Sequence, residues 1–244
     1  LSDPHFLPRF LQERMSDGLL LNYNKLLPSH LIKRIAAHEL PCIWLNAKRE
    51  SDCVYPDDLA AGREATERLL LRGHRRIGYV SFSAEGGEAH YSEFDRRDGY
   101  VQAMQTAGLT PHVVAHVGRT GGRACSRYEE ARHLLASTDR PTALVLYGTS
   151  TVMPFVRAAA ELGIGMPHEL SMITFDTRSV YVGLHVSAMV IPELELGHTA
   201  VDMLIEKVTN PGLELESRCL DFSYSDGGSV VSYIDNQESA TPQQ

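Results

Sequence analysis

Short apolar runs rich in β-branched residues alternate along this chain with longer segments of helical period, and that alternation most restricts its fold. The runs at 18–22, 42–46, 77–82, 112–116, 142–147, 170–175 and 187–191 have strand length, and 219–224 and 229–234 close the series. Between them, 4–15, 29–38, 57–72, 96–107, 128–137, 150–162 and 193–208 repeat apolar residues at three- and four-residue intervals, as one face of a helix does. Parallel strands covered on both faces read as nearly continuous apolar runs. The pattern predicts an α/β fold with parallel sheets clothed by helices.

Local chemistry at the boundaries agrees. Pro56 stands where a helix can spare an N–H, and Asp57 and Asp58 put negative charge at the positive end of the helix dipole. Gly73 and Gly163 fall where helices should stop. No repeat, low-complexity tract or Ser/Pro linker divides the chain, so any domain division must arise from crossings between two sheets. The polar tail at 236–244 has no apolar anchor and is expected to be disordered.

With 244 residues, 43% of them hydrophobic, the chain can bury a sizeable core. Its formal net charge of −8 leaves little attraction for a phosphate backbone, so this stretch alone is not expected to hold DNA. Cys42, Cys53, Cys125 and Cys219 form no CxxC pair and read as reduced, mostly buried thiols. No apolar run approaches the roughly 20 residues that span a bilayer, and the first residues lack a signal-peptide pattern. A soluble cytoplasmic protein without membrane partners is expected.

Motifs for covalent chemistry are missing. The glycines at 118, 121 and 122 lack dinucleotide-binding spacing, and neither GxSxG nor HExxH occurs, so no enzyme, metal or cofactor is implied. Asp57 and Asp58 are adjacent on a helix and point apart, which favours capping over acid–base catalysis. The basic stretch at 72–76 is short and reads as a solvated turn, and the scattered histidines as surface or structural residues. What remains is a set of polar residues at the carboxyl ends of expected strands, where open α/β sheets bind ligands. Asn46, Tyr147 and Asp176 hold such positions, and Arg96 begins an expected helix, where the dipole opposes a cation and asks for a compensating anion or ligand.

The segments VYPDDLAAG at 54–62 and LLRGHRRIGYV at 70–80 resemble a helix and following strand of the LacI/GalR family of bacterial transcription regulators. RRDGY at 96–100, PTA at 141–143, GIGMPHELSMITFD at 163–176 and PELELG at 192–197 resemble further family signatures in the same order. The resemblance implies two similar Rossmann-like subdomains of the periplasmic-binding-protein type, joined by three crossovers around a ligand cleft. It places 1–82 and 192–218 in the first subdomain and 83–191 and 219–235 in the second, with the helix-turn-helix headpiece, hinge helix and first strand absent from this chain. Residue by residue, Asn46, Arg96 and Asp176 match effector-contacting positions. Tyr147-Gly148 replaces the Asn-Asp of many relatives and offers a ring that could stack on a sugar face.

The implied function is the sensing and dimerisation core of a repressor. A sugar or polyol effector would control operator DNA binding allosterically, and the homodimer would use apolar residues near 69–71 and Phe155. The alternative is a periplasmic sugar-binding protein of a transporter, which shares the fold and differs in what precedes the core.

Overall fold

The computed structural model describes residues 16–22, 32–33, 35, 37, 39–82, 89–115, 119–120, 123–124, 126–176, 180–181 and 184–233. The expected helix at 4–15, Cys125 and the tail from 234 lie outside them. The chain forms two compact units. One comprises the described residues within Leu1–Asp57, Glu88–Tyr91 and Pro192–Phe222; the other those within Asp58–Gly87, Ser92–Ile191 and Ser223–Gln244. The chain therefore passes between units at 57/58, 191/192 and 222/223, with 88–91 a brief return.

The smaller unit is built on β1 (Leu19–Asn22), β2 (Cys42–Leu45), β3 (Cys53–Pro56) and β13 (Arg218–Leu220), all parallel, in the order β1-β2-β3-β13. A helix at Glu193–Thr209, α5, packs on this sheet through Leu196, Ala200 and Met203, a four-then-three spacing that keeps one stripe inward. Lys207 of α5 reaches Asp52 at 2.6 Å and the Leu213 carbonyl at 2.6 Å, while Asp52 accepts from the Leu215 backbone at 3.0 Å. That network fastens the loop after α5 to the start of β3.

The larger unit holds a six-stranded sheet in the order β14-β12-β9-β8-β4-β5. Its strands are β4 (Ile77–Ser81), β5 (His112–Ala115), β8 (Ala143–Leu146), β9 (Ser171–Asp176), β12 (Ser187–Val190) and β14 (Ser223–Ser225), all parallel except β14 at the edge. Two-residue strands β6 (Arg119–Thr120) and β7 (Arg123–Ala124), and β10 (Val180–Tyr181) and β11 (Leu184–His185), form separate antiparallel pairs. Every residue of β4 and β8 is buried, as the continuous apolar runs required.

Helices cover both faces. Helices α1 (Asp58–Leu71) and α2 (Tyr91–Thr106) take one side, where Tyr100 of α2 donates to the Ile77 carbonyl at 2.8 Å and its ring packs on Tyr79. Helices α3 (Arg127–Leu135), which opens on a Ser126/Glu129 capping box, and α4 (Val152–Leu162) take the other. There Leu135, Phe155 and Ala158 close a core with Val80, Leu144, Leu146 and Met172. Phe155 stacks on Phe82 with centroids 5.9 Å apart.

Three expectations need correction. Residues 58–82 group with the larger unit, not with 1–57, because β4 lies between β8 and β5 in its sheet. The expected strand at 219–224 is two strands, β13 and β14, one in each unit. Leu69 and Phe155 are fully buried core residues and cannot form a surface for a second subunit, whereas Leu71 is 86% exposed.

Candidate functional site

The order of the larger sheet fixes where a ligand can sit. From β4 the chain crosses to β5 at the edge and then returns to β8 on the other flank of β4. The connections leaving β4 and β8 therefore diverge, and a crevice opens beyond their carboxyl ends. At that switch point lie Ser81 from β4, Tyr147 just after β8, Asp176 ending β9, and the first turns of α2.

Arg96 occupies the second turn of α2, since the helix starts at Tyr91 and not at 96 as its sequence suggested. Its Nε donates to Asp58 Oδ1 at 2.7 Å and its Nη1 to the Tyr147 carbonyl at 2.8 Å. The guanidinium centre lies 4.5 Å from the Phe175 ring centroid and 5.0 Å from that of Tyr147. The side chains of Arg96 and Asp58 are 8% and 0% exposed, so this is a buried ion pair. Since Arg96 does not begin the helix, the anion beside it answers its own buried charge and not the helix dipole, and that anion is Asp58.

The pair exists because α1 and α2 cross at contact distance. Gly62 and Gly99 lie one turn beyond Asp58 and Arg96 respectively. A Cβ at Gly62 would run into the Arg96 carbonyl and lie 2.8 Å from its Cα, and one at Gly99 would meet the Leu59 carbonyl and lie 2.7 Å from the Arg63 nitrogen. Asp58 is therefore more than the dipole-complementing residue its position suggested.

Around this pair the polar groups are already organised. The Tyr147 hydroxyl shares a 3.0 Å hydrogen bond with Ser92 Oγ, Ser81 Oγ donates to Glu93 Oε1 at 2.7 Å, and Thr149 Oγ1 donates to Asp176 Oδ2 at 2.7 Å. Arg96 and Tyr147 are thus brought together, and Asp176 is anchored at the neighbouring strand end. Asp58, Ser92, Glu93, Thr149 and Phe175 were not singled out from sequence as ligand-site residues. The signals available were the acidic residue at 58 and the RxxG spacing at 96–99; nothing in spacing links positions so far apart in the chain.

Asn46 belongs to the smaller unit. It follows β2 with φ 54, a left-handed conformation that asparagine adopts more readily than most residues. Tyr91 Oη donates to its Oδ1 at 3.2 Å and His90 Nε2 to its carbonyl at 2.8 Å. Lys48 Nζ lies 5.6 Å from the Tyr91 ring centroid and 5.7 Å from that of Tyr55. The strand end is polar and aromatic, with two phenols, an imidazole, an amide and an amine.

The described thiols supply no ready nucleophile. Burial pushes Cys42 up to about 11, and partial desolvation with the nearby Asp57 carboxylate raises Cys219, which keeps both as thiols near neutral pH. Cys53 is buried and bonds Ser217 Oγ, whereas Cys219 is exposed, against the expectation of mostly buried thiols. His74, in the basic stretch, is fully buried and not part of a solvated turn. Its Nε2 donates to the Val231 carbonyl at 3.2 Å, leaving Nδ1 to accept from Thr142 Oγ1 at 2.9 Å. No described helix is long and apolar enough to cross a membrane.

Residues 66–230 match the periplasmic binding protein-like domain family. Among curated proteins, the chain is 26% identical over 212 residues to the HTH-type transcriptional repressor PurR of Photobacterium profundum, covering 84% of this chain and 62% of that one. It is 27% identical over 188 residues to the ribose operon repressor of Haemophilus influenzae, covering 72% and 54%. The chain thus spans less than two thirds of either relative. Among solved structures, a LacI family transcriptional regulator from Enterococcus faecium with bound ribose superposes with a TM-score of 0.74 at 20% identity, covering 92% of this chain and 83% of that one, a likeness of fold. With residues 66–230 matched by that family's model and its parallel sheets in two units, the chain belongs to the periplasmic binding protein-like domain family.

Proposed function

We propose that this chain is the ligand-sensing core of a cytoplasmic LacI-type repressor. A small polyhydroxylated effector, a sugar or related polyol, binds at the carboxyl ends of β4, β8 and β9 in the larger unit. Arg96, Tyr147 and Asp176 frame that position, and Asn46 marks a separate polar strand end of the smaller unit. The observation that carries this reading is the assembly of Arg96, Tyr147 and Ser92 at the sheet's switch point, a polar and aromatic surface. That the matched curated proteins are repressors favours a regulator over a transporter component.

Binding is coupled to operator recognition through a separate helix-turn-helix headpiece and through a homodimer. The coupling cannot exceed the difference in effector affinity between the two conformational states. For the dimer, α5 of the smaller unit offers Leu194, Val201, Ile205 and Val208, all exposed and all on one helical stripe, with Leu194 73% and Ile205 61% exposed.

A thermal-shift screen of sugars, polyols and nucleosides tests the effector, because a ligand selective for the folded state raises the melting temperature. Arg96→Ala and Asp176→Ala should abolish the shift for a true hit; full affinity in both variants, or turnover of the hit by the protein, removes this reading. Sedimentation of the wild type and of Ile205→Asp tests the dimer, with a monomer expected only for the variant.

A further inference from the structure

We infer that the strand-end site of the larger unit selects uncharged ligands over their phosphorylated or carboxylated counterparts, and that Asp58 sets this selectivity by neutralising Arg96. The inference rests on the effector reading above and adds to it the charge class of the ligand.

An arginine at the mouth of a ligand site ordinarily recruits anions, because its guanidinium fork matches phosphate and carboxylate. Here its charge is already paired within the fold. Nε is held by a carboxylate with no exposed surface, Nη1 by the Tyr147 carbonyl, and the rings of Phe175 and Tyr147 lie close to the guanidinium. Recruiting Arg96 to a phosphate would leave the Asp58 carboxylate buried beside a second anion, and a buried charge that loses its partner is strongly disfavoured.

The surrounding charges act in the same direction. Glu93 and Asp176 stand at the ends of β4 and β9, each accepting from a hydroxyl. Arg127 reaches the end of β4 from the α3 side, where its Nη2 donates to the Phe82 carbonyl at 3.1 Å. Among the described residues, three carboxylates therefore face two guanidiniums, and one of those guanidiniums is paired with a buried carboxylate. Among the described residues, the polar groups beside the pair include the Tyr147 phenol, the Ser92 and Thr149 hydroxyls and the Asp176 carboxylate. These donate to and accept from hydroxyls or ring nitrogens.

The test is isothermal titration of the protein with matched pairs: ribose and ribose 5-phosphate, glucose and glucose 6-phosphate, guanosine and its 5′-monophosphate, with inorganic phosphate alongside. For any pair that binds, the wild type should favour the neutral member by at least about tenfold, and inorganic phosphate should not bind. Asp58→Asn keeps the shape and releases the Arg96 charge, so it should narrow that ratio at least about tenfold and capture inorganic phosphate. Asp58→Glu should keep the wild-type preference.

A wild type that binds the phosphorylated member equally well, or an Asp58→Asn variant with an unchanged ratio and no phosphate uptake, overturns the inference. Should Asp58→Asn not fold, the wild-type ratio across the pairs decides. Silence of the wild type toward every pair removes the effector reading itself, and phosphate capture by Asp58→Asn then decides the charge argument separately.

Discussion

One substitution, glycine to alanine, should change stability with opposite sign at two helical positions. Gly197 lies inside α5 with nothing among the described residues within 4 Å of the point where an added methyl would project, so Gly197→Ala brings only the helix-propensity gain, about 0.8–1 kcal/mol of stabilisation. Gly62 lies inside α1 where a Cβ would collide with the Arg96 carbonyl and sit 2.8 Å from the Arg96 Cα. Ordinary carbon contacts lie at roughly 3.5–4.0 Å, so α1 and α2 must part by about 0.7 Å or more. Overpacking costs roughly 1–3 kcal/mol, and a clash with backbone atoms belongs at the upper end, so against a propensity gain of about 1 kcal/mol the net loss is near 2 kcal/mol. Because the obstructing atoms belong to Arg96, the same shift loosens its 2.7 Å contact with Asp58. Urea denaturation at equilibrium, with the slope held equal across variants, reads both effects. A Gly62→Ala protein as stable as the wild type would show that the helices are not in glycine-limited contact and would undo the account of how Asp58 and Arg96 meet.

Further outcomes follow from buried polar groups. Asp58→Ala alone should cost about 3–5 kcal/mol by leaving Arg96 uncompensated, whereas Asp58→Leu with Arg96→Met should come near neutrality; a double variant as unstable as the single one argues against a desolvated pair. Burial lowers the pKa of His74 from its ordinary 6.5, so the native state binds its proton less readily than the unfolded chain. Stability should therefore be full above about pH 6.5 and decline below it until the native imidazole also titrates, a trend that His74→Gln should flatten in melting curves taken between pH 7 and 5. A His74→Gln curve as steep as the wild type would assign the trend to other groups. The Thr174 hydroxyl in β9 is fully buried without a hydrogen-bond partner among the described residues, so Thr174→Val should be neutral or stabilising by about 1 kcal/mol in the same denaturation assay, and a clear loss would reveal a partner.

The sequence alone determined the class of fold, because periodicity is local. The fully apolar runs of β4 and β8 could be satisfied only by burial on both faces, and the apolar spacing of α4 and α5 allowed one inward stripe each. It also marked Asn46, Tyr147 and Asp176 as strand-end residues, since a strand's last polar position is visible in the chain itself. Only the tertiary structure decided the rest. Whether β4 joined the strands before it or those after it depended on pairing across the sheet, which no local pattern encodes, and so the boundary fell at 57 and not at 82. Phe155 on α4 and Leu69 on α1 read equally well as surface or core until the neighbouring helices were in place. Likewise Asp58 and Arg96 each looked like a helix-dipole problem with a local answer. Their charges are instead settled by each other, because a glycine-lined crossing brings two distant turns within bonding range and excludes the water that would otherwise screen them.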